Sequence, residues 1–254
     1  MNFRLTIQYD GTDFAGWQTQ ARGERTVQGE LEGALALLEG EPVTAHGAGR
    51  TDAGVHAEAQ VASVKLRREW SPEKLRAAIN GNIGRDVRVT GVEAAGEGFH
   101  ARFSARGKTY RYYVFNEDFI SPFVVRYAHH EARELSVGRM RECGRLFLGV
   151  HDWSAFSSAQ AEVEDRVRNV TRLDVGEFWS EQARGRVVEI SVSADGFLRY
   201  MARSIAGTLL AAGRGEMGGE VIRRALATGD RTLAGATAPA RGLTLVEVHY
   251  DAGG

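Results

Sequence analysis

The spacing of apolar residues changes period along this chain in an order that runs twice, and that order limits the fold more than any single motif does. Phe3, Leu5, Ile7 and Tyr9 alternate with polar residues, the two-residue period of a half-buried strand. Asp10-Gly11-Thr12 turns it, and Phe14, Gly16, Trp17 and Gln18 follow in a loop whose aromatics look exposed unless they form a hydrophobic lid over the first core. Thr26 is placed to cap a helix running to about Gly40, with Leu31, Ala34, Leu35 and Leu38 as its inner stripe. Residues 42–48 and 57–66 read as strands. Ser71-Pro72 opens a second helix, with proline at the first position, where its missing N–H costs nothing. Leu75, Ala78 and Ile79 face inward and Asn80-Gly81-Asn82 ends it; Val87, Val89 and Val92 mark a further strand.

The first hundred residues thus read strand, helix, strand, strand, helix, strand, the ferredoxin-like order. The order then repeats. Residues 110–115 form a strand, and 137–147 a helix carrying Met140, Cys143 and Phe147. Residues 167–176 and 186–194 are strands, and 197–212 a helix closed by Gly213. A second helix follows at 219–227, and Leu243, Leu245 and Val248 mark the last strand. No sequence repeat links the two passes. The prediction is an α+β chain of two ferredoxin-like halves, 1–104 and 105–254. Two antiparallel sheets in one chain can join edge to edge and leave a cleft between the halves.

Composition removes several classes. The 254 residues are 43% hydrophobic and 26% charged, an ordinary globular balance. The single Cys143 allows neither an intramolecular disulfide nor a cysteine-based zinc site and fits a reducing cytoplasm. The histidines are scattered, and the adjacent His129 and His130 point apart on a strand, so no metal is expected. No apolar run approaches the ~20 residues of a membrane span, and the N-terminus lacks a signal-peptide pattern. Net charge is −1, which is not what an evenly charged nucleic-acid binder shows. Of the 32 basic residues 29 are Arg, a bias that suits phosphate forks and base stacking.

Three stretches carry chemistry. In Gly49-Arg50-Thr51-Asp52-Ala53-Gly54-Val55-His56-Ala57, two glycines bracket a cation, a hydroxyl and a carboxylate in consecutive positions. Such a run cannot sit in an apolar core without partners. A solvated turn is its bland reading; a loop holding Asp52 at a fixed place is the sharper one. It is not a phosphate loop, because Val55-His56 stand where Lys and Ser/Thr are required. The second stretch, residues 99–112, has four cations, four aromatics and no acid, which suits phosphates and unstacked bases as well as it suits a solvated strand face. In the third, Arg199 and Arg203 stand four apart on what reads as one helix face, opposite a buried stripe of Met201, Ile205 and Leu209. The acid-free run there extends from 196 to 215.

The 49–57 motif resembles the signature of the tRNA pseudouridine synthase A family, and the 9–18, 99–112 and 197–207 stretches resemble further family motifs in the same order. The resemblance implies a continuous sheet with a central cleft. It also implies isomerisation of uridine to pseudouridine at neighbouring positions, 38–40, of the tRNA anticodon stem-loop. That chemistry adds no electrons or groups, so no cofactor is expected. By resemblance Asp52 is the catalytic carboxylate and Arg203 its paired arginine. Tyr110 is the active-site tyrosine that stacks on the base, and Arg50 helps displace the target nucleotide. The same resemblance implies a homodimer with tRNA lying across both subunits. Two rivals remain. A non-catalytic RNA-binding protein gains nothing from a carboxylate facing phosphates. A glycoside hydrolase needs a second carboxylate, and no motif supplies it.

Overall fold

The computed structural model describes residues 1–20, 23–158 and 164–251. The N-terminal elements are β1 (Asn2–Tyr9), α1 (Val27–Glu39), β2 (Ala45–Gly47), β3 (His56–Lys65), α2 (Pro72–Asn82) and β4 (Val87–Ala95). There follow β5 (Ala105–Phe115), β6 (His129–His130), α3 (Val137–Gly144), β7 (Gly149–Asp152), β8 (Val167–Ser180) and β9 (Gly185–Ala194). The chain closes with α4 (Met201–Gly213), α5 (Gly219–Thr228) and β10 (Leu243–Tyr250). With helices over mainly antiparallel strands, the fold is α+β. Two compact units form, Met1–Arg106 with Thr244–Gly254, and Gly107–Leu243.

In the first unit β1 lies antiparallel between β4 and β3, with Leu5 opposite both Val92 and Ala62. β2 joins the other edge of β3, from Ala45 opposite Val64 to Gly47 opposite Ala62. The order β4-β1-β3-β2 is what two interleaved strand–helix–strand crossovers produce. β10 then pairs in parallel with the start of β3, Thr244 opposite His56 and Leu245 opposite Ala57. The sequence assigned this strand to the second half; a pairing across the whole chain leaves no local trace.

Local chemistry explains the helices of this unit. The Thr26 side chain accepts from Gly29 N at 3.1 Å and Gly40 closes α1 in the left-handed region. Leu31 and Leu35 from α1, Leu75 and Ile79 from α2, and Phe3, Leu5 and Ile7 from β1 are fully buried. Each contributes roughly 1.5–3 kcal/mol by leaving water. Leu38 does not complete the stripe. Glu39 is buried instead, accepting from Arg67 N, Arg68 N and Trp70 Nε1 at 2.8–3.1 Å. Burial pushes its carboxyl up, but these donors outweigh burial and hold it below the usual range. Phe14 and Trp17, which looked exposed, are each 3% exposed and form the lid.

In the second unit the strand order is β5-β9-β8-β7, antiparallel throughout, with β6 parallel to the end of β5 at Val114–His129. Phe147, Trp153 and Phe156 stack and abut at 5.1–5.9 Å between centroids in its core. α4 starts at Met201 and not at 197, because Tyr200 adopts φ +67°. Arg199 therefore lies outside the helix and does not share a helix face with Arg203. Every residue of α4 except Arg203 is buried. No helix among the described residues is long and apolar enough to cross a membrane.

Candidate active site

The loop from 48 to 55 joins β2 to β3 and is tied down residue by residue. Gln60 Nε2 donates to Gly49 O at 2.9 Å. Thr51 is buried, its hydroxyl 2.8 Å from Tyr9 OH, and its carbonyl accepts from Trp17 N at 3.1 Å. Val55 N donates to Asp52 O at 3.1 Å, closing a turn in which Gly54 takes φ +78°, a position that favours glycine. Below it the His56 ring nitrogen Nδ1 lies 3.0 Å from Gly11 N and 3.2 Å from Asp10 Oδ1. Burial pushes the Tyr9 phenol up to about 12, even though hydrogen bonds to Thr51 and Gln60 pull it down. The phenol therefore stays protonated and able to hold Thr51. With its neighbours fixed, Asp52 is half-buried and Arg50 exposed. The lid explains why the loop stays put: the Trp17 ring covers Gly47 so closely that a Cβ there would sit 2.5 Å from it.

The other two candidates belong to the second unit. Tyr110 stands on β5 opposite Val192, 6% exposed, with Phe197 edge-on at 4.9 Å. Tyr112 shares its strand face and donates to Pro239 O at 2.9 Å. Arg203 is held from both ends: its Nε donates to Ala238 O at 2.8 Å, and Ala238 N donates back to Arg203 O at 3.1 Å. Gly207, one turn on, makes this possible, since a Cβ there would lie 1.8 Å from Ala236 O. The guanidinium sits 5.0 Å from the Tyr200 ring centroid. A cation in a first turn that carries no acid adds to the positive end of the helix dipole. Arg203 and the helix end together make a field that favours an anion.

Sequence reasoning missed Tyr200. A tyrosine at φ +67° stores strain of about 1–3 kcal/mol, and such strain concentrates at functional sites. Its hydroxyl accepts from Arg199 Nη2 at 3.1 Å. Nothing in a sequence marks a tyrosine as left-handed. The acid-free runs are also less basic in space than in sequence. Arg106 pairs with Asp251 at 2.7 Å, Arg111 lies 3.8 Å from Glu189, and Arg214 bridges Glu131 and Glu216 at 2.9 and 2.7 Å. Among the described residues no group of three or more His, Cys, Asp or Glu is arranged to hold a metal ion.

Residues 5–104 and 144–251 match the family model described as tRNA pseudouridine synthase. The chain belongs to the tRNA pseudouridine synthase family. Similar members include tRNA pseudouridine synthase A of Bacillus subtilis, 42% identical over 99% of this chain and 100% of that protein. Another is tRNA pseudouridine synthase A 2 of Clostridium perfringens, 39% identical over 98% of this chain and 99% of that protein. The segments shared with the tRNA pseudouridine synthase family contain Arg50, Asp52 and Arg203, whereas Tyr110 falls between them.

Proposed function

We propose that the protein isomerises uridine to pseudouridine in tRNA, with Asp52 as the reacting carboxylate. The observation that carries this reading is the 48–55 loop, in which buried Thr51 and the bonded carbonyls of Gly49 and Asp52 fix the backbone around a half-buried carboxylate. Family membership supports it. In the reaction N1–C1′ breaks, the uracil turns, C5 bonds to C1′, the C5 proton leaves and N1 gains one. Atoms balance without a cofactor. Asp52 acts on the ribose, and Arg203 is the cation that pairs with it. Tyr110 offers a face to the uracil and a phenol for the C5 proton. Exposed Arg50 helps draw the nucleotide from its stack, a step costing a few kcal/mol. In the same reading the target is the anticodon stem-loop, positions 38–40, and the working form is a cytoplasmic homodimer, which spreads a broader basic surface than one near-neutral chain.

The test is tritium release from C5-labelled uridine in whole tRNA. Asp52→Asn keeps size and polarity but loses the charge. Turnover is expected to fall more than about a hundredfold, with tRNA binding and melting temperature retained. Appreciable release by this variant would overturn the role of Asp52.

A further inference from the structure

Three rings of the first unit form a ladder on the surface. His46, at the centre of β2, lies 4.9 Å from His100 with 34° between planes, and His100 lies 4.4 Å from Phe103 with 35° between planes. Phe103 is 76% exposed, yet it does not hang from a loose loop. His100 Nδ1 accepts from Arg102 N at 3.1 Å and Phe103 N at 3.4 Å, wrapping the turn around the imidazole. His100 N donates to Ser104 Oγ at 3.1 Å, and Ser104 N returns a bond to His100 O at 2.9 Å. Ala101 is fully buried, donating to Ser63 Oγ at 3.1 Å and accepting from Tyr250 OH at 2.7 Å. A large apolar ring is thus presented to water by a turn fixed on every side.

The charge around it selects the occupant. The Arg102 guanidinium lies 5.8 Å from the Phe103 centroid. Beside the histidines is a cleft of about 420 Å³ whose wall includes Thr44, Ser63 and Lys65, with Glu97 as its acid. Arg106 is exposed but tied to Asp251. An aromatic face flanked by cations matches a flat base on an anionic backbone. Base-paired stems hide their faces, so the ligand is an unpaired nucleotide. The ladder rests at Ser63, seven residues along β3 from His56, where the Asp52 loop enters that strand, and His46 precedes the same loop on β2.

We propose that the His46–His100–Phe103 ladder is a stacking site for an unpaired nucleobase of the RNA substrate, separate from the base that reacts. It rests on the RNA-modifying reading above. The site adds affinity and leaves the chemical step untouched.

Phe103→Ala and Phe103→Trp are compared with the wild type for tRNA Kd, for kcat by tritium release at saturating tRNA, and for mass by sedimentation. Phe103→Ala should weaken binding about 5- to 150-fold, the loss of one stacked base, with kcat within about twofold. Phe103→Trp should bind like the wild type. The slope of log Kd against log salt should stay unchanged in Phe103→Ala, since a ring releases no counterions, and fall by about 0.7–0.9 in Arg102→Ala. Binding by Phe103→Ala within twofold of wild type, or equal losses in the Ala and Trp variants, would overturn the site. A change of mass in Phe103→Ala would overturn it too, by assigning the ring to a protein contact. Absence of tritium release by the wild type is a different failure, because it removes the functional reading itself.

Discussion

Tyr110 separates two jobs that one side chain can do. Phenylalanine keeps the face and loses the hydroxyl, while alanine loses both. If stacking alone mattered, Tyr110→Phe would turn over normally. Tyr110 stands under Phe197 on a strand with Tyr112, so its ring is held whether or not the hydroxyl is present. Tyr110→Phe is therefore expected to bind tRNA like the wild type and to release tritium slowly. Tyr110→Ala should also lose roughly 1–3 kcal/mol of base binding. Near-native release by both variants in the same assay would place Tyr110 outside the site. At this scale the sequence was most readable where chemistry is dense. A carboxylate, a hydroxyl and a cation between glycines announce a fixed loop. Tyr200 was unreadable because its backbone angle, and not its identity, makes it unusual.

The elements were legible where their ends are chosen by neighbours in sequence. Thr26 and Gly40 bound α1, and Ser71 caps α2, as cap chemistry requires. β1 and β3 show in their apolar pattern. β6 and β7 do not, being two and four residues long and existing only through their partners β5 and β8. The start of α4 was misread because apolar spacing continues through Phe197 and Leu198, and only the left-handed Tyr200 breaks it. Glu39 defeated the stripe of α1 because its three donors come from residues 67–70. α4 also yields a test of sign. Gly→Ala inside a helix ordinarily gains up to about 1 kcal/mol. At Gly207 the added methyl meets the Ala236 carbonyl, so Gly207→Ala should lower stability by roughly 1–3 kcal/mol or more in urea unfolding. It should also lower turnover, because the displaced segment holds Arg203 through Ala238. A gain in stability would show that the segment can move aside.

For the whole molecule, acid should act in two steps. Burial, and then the neighbouring His46, keeps His100 below the ordinary histidine range; burial, and then Arg241, does the same for His129, whose Nδ1 is buried with no hydrogen-bond partner among the described residues. An unfolded chain takes up these protons first, so stability falls as pH drops below about 6.5. Glu39, Asp86 and Glu131 sit below their ordinary values, so the stability they contribute disappears below about 4.5. The melting temperature should therefore drop already between pH 7.5 and 5.5, and a His100→Asn/His129→Asn double variant should flatten that first step. An unchanged melting temperature across that range in the wild type would contradict it. The parallel seat of β10 on β3 has a consequence in time. A ribosome delivers β3 long before it delivers β10, and the whole of Gly107–Leu243 is made in between. At ~5–20 residues per second that interval is on the order of 10 s. Throughout it the start of β3 presents an unfilled backbone edge, the kind that pairs with other chains. The nascent protein is thus most exposed to misassembly just before its last strand emerges, and slowing synthesis of the final residues should lower its soluble yield.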